Sequence, residues 1–174
     1  MAKRGTTSID LARLSLSHGE GARLDVLVEL DPLELGGQTY VLRGDALETR
    51  VDASRPSNGY AFRLRFPFRL EGPCMRCLEP AIVETEVDAR EVDQADTEDE
   101  ELRSPYVVED RVDLSRWAHD AVVLATPSRI LCRADCAGLC PVCGESLNDA
   151  DPENHKHLSD RDPRWAKLDE LKSE

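Results

Sequence analysis

"YAFRLRFPFRLEG", residues 60–72, is the stretch from which the fold can be read. Tyr60, Phe62, Leu64, Phe66, Phe68 and Leu70 share one parity, and Arg63, Arg65 and Arg69 share the other. Successive side chains of an extended chain point to opposite faces, so the stretch is a strand with one apolar and one cationic face. Pro67 has no N–H, which predicts an edge strand or a bulge at that point. The period of two recurs on both sides. "ARLDVLVEL" (22–30) alternates Leu24, Val26, Val28 and Leu30, and Gly36-Gly37 breaks it with a turn. "YVLRGDALETRVDA" (40–53) carries a turn at Gly44-Asp45 and a further strand ending near Val51, while "AIVETEVDAREVD" (81–93) alternates less regularly. "SIDLARLSL" (8–16) reads as a short strand or a loose arm. Short turns between such stretches predict antiparallel pairing.

Two segments change period. "VDLSRWAHDAVVLATP" (112–127) places Trp117 or Ala118, Ala121, Val122 and Ala125 at spacings of three and four, with Ser115 as N-cap and Pro127 as stop. "DPRWAKLDEL" (162–171) does the same with Trp165, Leu168 and Leu171 behind Asp162 and Pro163. The expected class is therefore α+β: an antiparallel β-sheet or partly open barrel, with a C-terminal zinc-knuckle module and two short helices. The expected organisation is a strand-rich core over residues 1–90 and an acidic flexible loop over 91–106. A packed helix over 107–131 and a metal-binding module with its helix over 132–174 follow.

The formal charge is −13, and it is unevenly spread. Residues 1–83 carry 11 basic and 11 acidic side chains, whereas residues 84–113 carry 3 and 13. Such a balance argues against indiscriminate binding along DNA but leaves room for a local cationic face. Arg63, Arg65 and Arg69, with Arg76 nearby, are the candidates to contact RNA, because guanidinium groups pair with phosphates and stack on bases. An ordinary solvated sheet face is the competing reading. The opening residues lack the apolar run of a signal peptide, and no stretch approaches the ~20 apolar residues of a membrane span. The expectation is a cytoplasmic protein, a monomer, without a membrane partner. Six cysteines in a reducing compartment point to metal ligation over disulfides.

"CRADCAGLCPVCGESLNDADPENHKH" (132–157) holds four of those cysteines and two histidines. Within it, "CPVCG" is a zinc knuckle by local chemistry: two thiolates bite one ion, and Gly144 lets the chain leave in a left-handed conformation. A second CxxC, Cys74 and Cys77, follows the arginine-bearing strand. Eight donors fill two four-coordinate sites. One partition joins Cys140, Cys143, His155 and His157, and separately Cys74, Cys77, Cys132 and Cys136. A competing one gives Cys136 to the knuckle with one histidine and leaves Cys132 free. A thioredoxin-like pair would need a strand before it and a helix behind it, and the flanks here are polar and turn-rich. Thiolate-rich sets with a full complement of donors are closed, so the metal is expected to fold the chain and not to perform catalysis. No HExxH, phosphate-binding loop or nucleophile elbow occurs.

"PCMRCLEP" (73–80), "VDLSRWAHDAVVLATP", "CRADCAGLCPVCGESLN" (132–148) and "DPRWAKLDEL", in this order and separation, resemble the YceD family of large ribosomal RNA subunit accumulation proteins. The resemblance spans roughly residues 8 to 171, and "CxGLCPxCGxxLN" is its most specific element. It implies a bacterial, cytosolic, non-enzymatic factor for large-subunit ribosomal RNA. Its partners would be that RNA or its precursor particles, with a ribosomal protein as a further partner. A zinc-dependent protein-binding or transcriptional adaptor is the alternative. Where many members carry a closing Cys-x-Cys, this chain has His155-Lys156-His157. Histidine replaces cysteine as a zinc donor but cannot form a disulfide, so the exchange favours metal over redox chemistry.

Overall fold

The computed structural model of the chain describes residues 7–44, 46–94, 97, 99–151, 155 and 157. In chain order these form β1 (Ser8–Asp10), α1 (Leu11–Leu14), β2 (Gly21–Val28), β3 (Leu33–Leu35) and β4 (Gln38–Leu42). Next come β5 (Leu47–Ser54), β6 (Tyr60–Pro73), β7 (Pro80–Asp93), β8 (Val107–Val108), β9 (Arg111–Asp113) and α2 (Leu114–Ala125). The C-terminal helix expected over residues 162–171 lies outside the described residues. No helix among the described residues is long and apolar enough to cross a membrane.

The strand predicted from residues 60–72 is the spine of an antiparallel sheet. β7 pairs with β6 along its whole length, from Tyr60 opposite Asp93 to Pro73 opposite Pro80. On the other side β5 pairs with Ala61–Arg65 and β4 with Leu70 and Glu71. β2 extends β5, and β3 extends β4. Among the described residues the sheet is open, with β7 on one side and β2 and β3 on the other, and does not close into a barrel. Pro67 is thus not on an edge strand, but it does mark an irregularity: between the pairs Leu42↔Leu70 and Arg50↔Arg65 the β4–β5 side carries three more residues than β6. It falls in the gap between β5 and β4, where β6 changes neighbour and no ladder donor is needed on that side. Gly36 and Gly37 form the two-residue β3–β4 turn with φ of 61° and 78°, the left-handed pair that such hairpins require.

Phe62, Leu64, Phe66, Phe68 and Leu70 are buried, and the intervening arginines are half-exposed. α2 lies across the apolar side. Trp117 meets Phe62 edge-on at 6.5 Å and stacks on Tyr106 at 6.1 Å. The helix is capped by Asp113, whose Oδ1 accepts from the Arg116 amide at 3.0 Å, and not by Ser115. The chain passes from β9 straight into the helix, which moves the cap two residues earlier. Ser115 Oγ is instead buried, with no partner among the described residues. A second small sheet, β1–β9–β8, anchors the N-terminal arm beside α2. β7 runs on to Asp93, and Glu100–Leu102 form a 3-10 turn inside the acidic stretch.

Candidate metal centres

The β6–β7 hairpin ends in the first CxxC. Residues 74–79 are its loop, so the long strands position Cys74 and Cys77 at one end of the sheet. Tyr40, fully buried on β4, fixes the approach: its hydroxyl donates to the Pro73 carbonyl at 2.8 Å. A Cβ on Gly72 would stand 2.2 Å from the Tyr40 ring, so glycine is required there by close approach.

The two CxxC loops are built alike. The Arg76 amide donates to Cys74 Sγ, and the Val142 amide to Cys140 Sγ, both at 3.4 Å. The Leu78 amide donates to the Cys74 carbonyl at 3.0 Å, and Gly144 to Cys140 at 2.9 Å. The Cys74 amide donates to the Glu79 carbonyl at 2.7 Å, and Cys140 to Glu145 at 2.8 Å. Gly144 has φ of 76°, as the sequence predicts; Leu78 occupies the same position with φ of 65°. The first loop therefore repeats the backbone of the second with leucine where the other has glycine, a left-handed leucine that costs on the order of 1–2 kcal/mol.

Two groups of four donors result, each with all ligand atoms within 4.8 Å of one another: Cys74, Cys77, Cys132 and Cys136, and Cys140, Cys143, His155 and His157. This is the two-site partition; Cys136 goes with the first CxxC and not with "CPVCG". In the first group Cys74 and Cys136 sulfurs are 3.7 Å apart, and Cys77 and Cys132 sulfurs 3.5 Å. A disulfide needs ~2.05 Å. Four sulfurs each ~2.3 Å from one ion stand ~3.8 Å apart, which is the spacing seen. In the second group Cys143 Sγ lies 3.8 Å from His155 Nε2, and the Nε2 atoms of His155 and His157 are 3.2 Å apart. Nitrogens at ~2.0–2.1 Å from one ion would be ~3.3 Å apart. Both groups can therefore hold a metal ion.

The groups differ in setting. Cys74, Cys77 and Cys136 are buried and belong to the hydrophobic core. Segment 130–138 is tied down beside them: Met75 N donates to Ile130 O at 2.8 Å, and Ile130 N to Met75 Sδ at 3.4 Å. Gly138, φ 83°, crosses the first loop so closely that a Cβ would lie 3.3 Å from the Arg76 carbonyl. Asn148 braces the turn: its Oδ1 accepts from Ala137 N at 2.9 Å, and its Nδ2 faces Cys132 Sγ at 3.9 Å. In the second group Cys140 is buried, but Cys143 and His157 are exposed. Glu145 Oε2 stands 3.5 Å from His155 Nδ1, the ring nitrogen other than the one facing Cys143 and His157, and 4.0 Å from Cys143 Sγ.

Thiol acidity follows the local fields. Burial pushes the Cys74 thiol up, but amides of Arg76, Cys77 and Cys132 more than offset it and hold it at about 6. Burial, then the neighbouring thiols of Cys77, Cys136 and Cys74, raise Cys132 to about 12. The amide of Cys143, then His155 and the Val142 amide, bring Cys140 down to about 6. Without a cation, four clustered thiols cannot all ionise; a bound divalent ion reverses that balance. His18-Gly19-Glu20 has the H-x-E spacing found in zinc deaminases, but His18 Nδ1 meets the Pro56 carbonyl at 3.3 Å and joins neither group.

Arg63, Arg65 and Arg69 do share the outer face of β6. Cross-strand register also brings carboxylates to each: Arg63 to Asp88, Arg65 to Asp52, and Arg69 to Glu71 at 2.8 Å and Glu84 at 2.7 Å. Asp52 also takes Arg23 at 2.6 Å. Alternation alone could not show most of this, since Asp88, Asp52 and Glu84 lie on other strands; only Glu71 shares β6 with Arg69, two residues away. Arg76, exposed in the first CxxC loop, has no carboxylate partner among the described residues. Leu78, Glu145 and Asn148 had no assigned role at the sequence level. The signal for Leu78 was its position after a CxxC, the place Gly144 holds in the other loop.

These elements define a sheet protein whose hairpin end and C-terminal segment share clustered cysteine and histidine donors. The chain belongs to the YceD family, "Large ribosomal RNA subunit accumulation protein YceD", whose model matches residues 62–172. It is similar to uncharacterized proteins of Mycobacterium tuberculosis (Rv2926c) and Mycobacterium bovis (Mb2951c). Each is 33% identical over 170 residues, covering 94% of this chain and 80% of theirs. The Mycobacterium leprae protein ML1660 is 39% identical over 66 residues, 38% of this chain and 29% of its own length. No solved structure matches the chain. Family membership points to a role in accumulation of large-subunit ribosomal RNA.

Proposed function

We propose that the protein is a non-enzymatic, cytoplasmic ribosome-biogenesis factor that binds two zinc ions and protects or stabilises precursor RNA of the large subunit. The observation that carries this reading is the pair of four-donor groups at the hairpin end of the sheet. Thiolate and imidazole at tetrahedral spacing suit zinc, and sets of four protein donors leave no position for a reacting water. Cys74, Cys77, Cys132 and Cys136 would hold one ion, and Cys140, Cys143, His155 and His157 the other. Zinc would supply cross-linking there, joining the sheet to a segment too small to build its own core.

Phosphate contact is assigned first to Arg76, whose charge no described carboxylate cancels, and to Arg129 on the neighbouring segment that Ile130 ties to Met75. Arg63, Arg65 and Arg69 would reach phosphate only by releasing Asp88, Asp52, Glu71 and Glu84. That neutralised face favours the second reading, a zinc-dependent adaptor that docks on a ribosomal or other protein without touching RNA. Crosslinking and sequencing of bound RNA from growing cells separates the two. Large-subunit precursor reads that fall on Arg76→Glu support RNA contact. Their absence, with protein partners retained, supports the adaptor.

A further inference from the structure

The two donor groups are unequal, and the inequality has a direction. The first joins sites 62 and 55 residues apart in sequence, and three of its four cysteines lie in the core. The second is closed by a step of only 12 residues, from Cys143 to His155, and two of its donors face solvent. Exchange of a buried ion requires the core to open. Exchange of an exposed ion requires only local motion, and local opening is far more frequent than global. Resting on the zinc reading above, we propose that Cys140, Cys143, His155 and His157 form an exchangeable divalent-metal site that loads and empties while the four-cysteine site stays filled. Glu145 is its positioning residue. The Glu145 carboxylate faces His155 Nδ1 and so directs Nε2, 3.2 Å from His157 Nε2, toward the ion. A carboxylate in that place orients the ring and raises its basicity.

The site therefore makes the local fold of the "CPVCG" end respond to free metal, independently of the sheet. Its chemistry selects a borderline cation that accepts two thiolates and two imidazoles, zinc or cobalt(II) before magnesium or calcium.

The test uses the full chain loaded with zinc and challenged with a chromophoric chelator. Release in two phases is expected, one ion leaving at least about 10-fold faster than the other. Refilling the emptied site with cobalt(II) should give the visible spectrum of a tetrahedral complex with two thiolates and two imidazoles, distinct from that of an all-thiolate one. His157→Ala should abolish the fast phase alone. Glu145→Gln should weaken cobalt at that site by about 10-fold or more without altering the slow phase, and Glu145→Asp should recover part of the loss. Two ions leaving in one phase would overturn the proposal while leaving two zinc sites intact. A chain that takes up no metal at all would remove both the proposal and the zinc reading beneath it.

Discussion

The pairing of Cys132 and Cys136 with the hairpin loop makes a quantitative claim. An ion held by both segments cross-links residue 77 to residue 132, a separation of 55. Closing a loop of that length restricts the unfolded chain by about 4 kcal/mol on the chain-entropy scale used for disulfides. Changing both residues, Cys132→Ser with Cys136→Ser, removes every donor on the C-terminal side of this site and so removes the whole cross-link. For a chain of this size 1 kcal/mol moves the midpoint by about 2–4 °C, so the sheet should melt about 8–16 °C lower. The control is His155→Ala with His157→Ala, which opens only the short loop of the second group; that loop opens locally, outside the sheet's cooperative unit, so the sheet midpoint should move by less than about 3 °C. Thermal unfolding of the zinc-loaded proteins, followed by circular dichroism in the strand region, reads both. Equal shifts in the two doubles, or an unchanged midpoint in the cysteine double, would refute the cross-link.

Three further outcomes follow from the same geometry. Gly144→Ala should cost about 1 kcal/mol in chemical denaturation, since its φ is 76° and a Cβ there meets nothing within 4 Å; Leu78→Gly at the matching position should cost less or be neutral, because it relieves the same strain. Acidification should weaken the sheet. The carboxyls of Asp52, Asp88 and Glu71 lie below their ordinary values of 3.8, 3.8 and 4.5 because of hydrogen bonds from Arg23, Arg63 and Arg69 respectively, so their support is complete above those values and is lost as pH falls through the lower, folded ones; Asp88→Asn should flatten that part of the pH–stability curve. Trp117→Ala should cost about 3–5 kcal/mol by urea denaturation, since the side chain is buried between Phe62 and Tyr106.

How far these features could be read from the chain depended on whether their cause was local. The β6 alternation is a property of neighbouring residues, and the even side chains from Phe62 to Leu70 are buried where the pattern put them. Pro67 marks a break in strand pairing and not an edge, because its tolerance comes from two different strands ending beside it, which no local window contains. The helix over 114–125 was visible in its apolar spacing, but its cap moved from Ser115 to Asp113 because β9 feeds it without a loop. The donors were legible by type and count, and their partition was left open until the hairpin brought residue 74 beside residue 136. The arginines were legible as a face, but apart from Arg69–Glu71 within β6 their ion pairs were not, since register across β5, β6 and β7 decides which charges meet.

Native mass spectrometry of the full chain, purified without chelator from zinc-replete cells, goes most directly to the central point. A mass equal to the fully reduced polypeptide plus two zinc ions is expected, falling to one in the His155→Ala, His157→Ala double. A metal-free mass, or one lighter by the hydrogens lost to a disulfide, would contradict it.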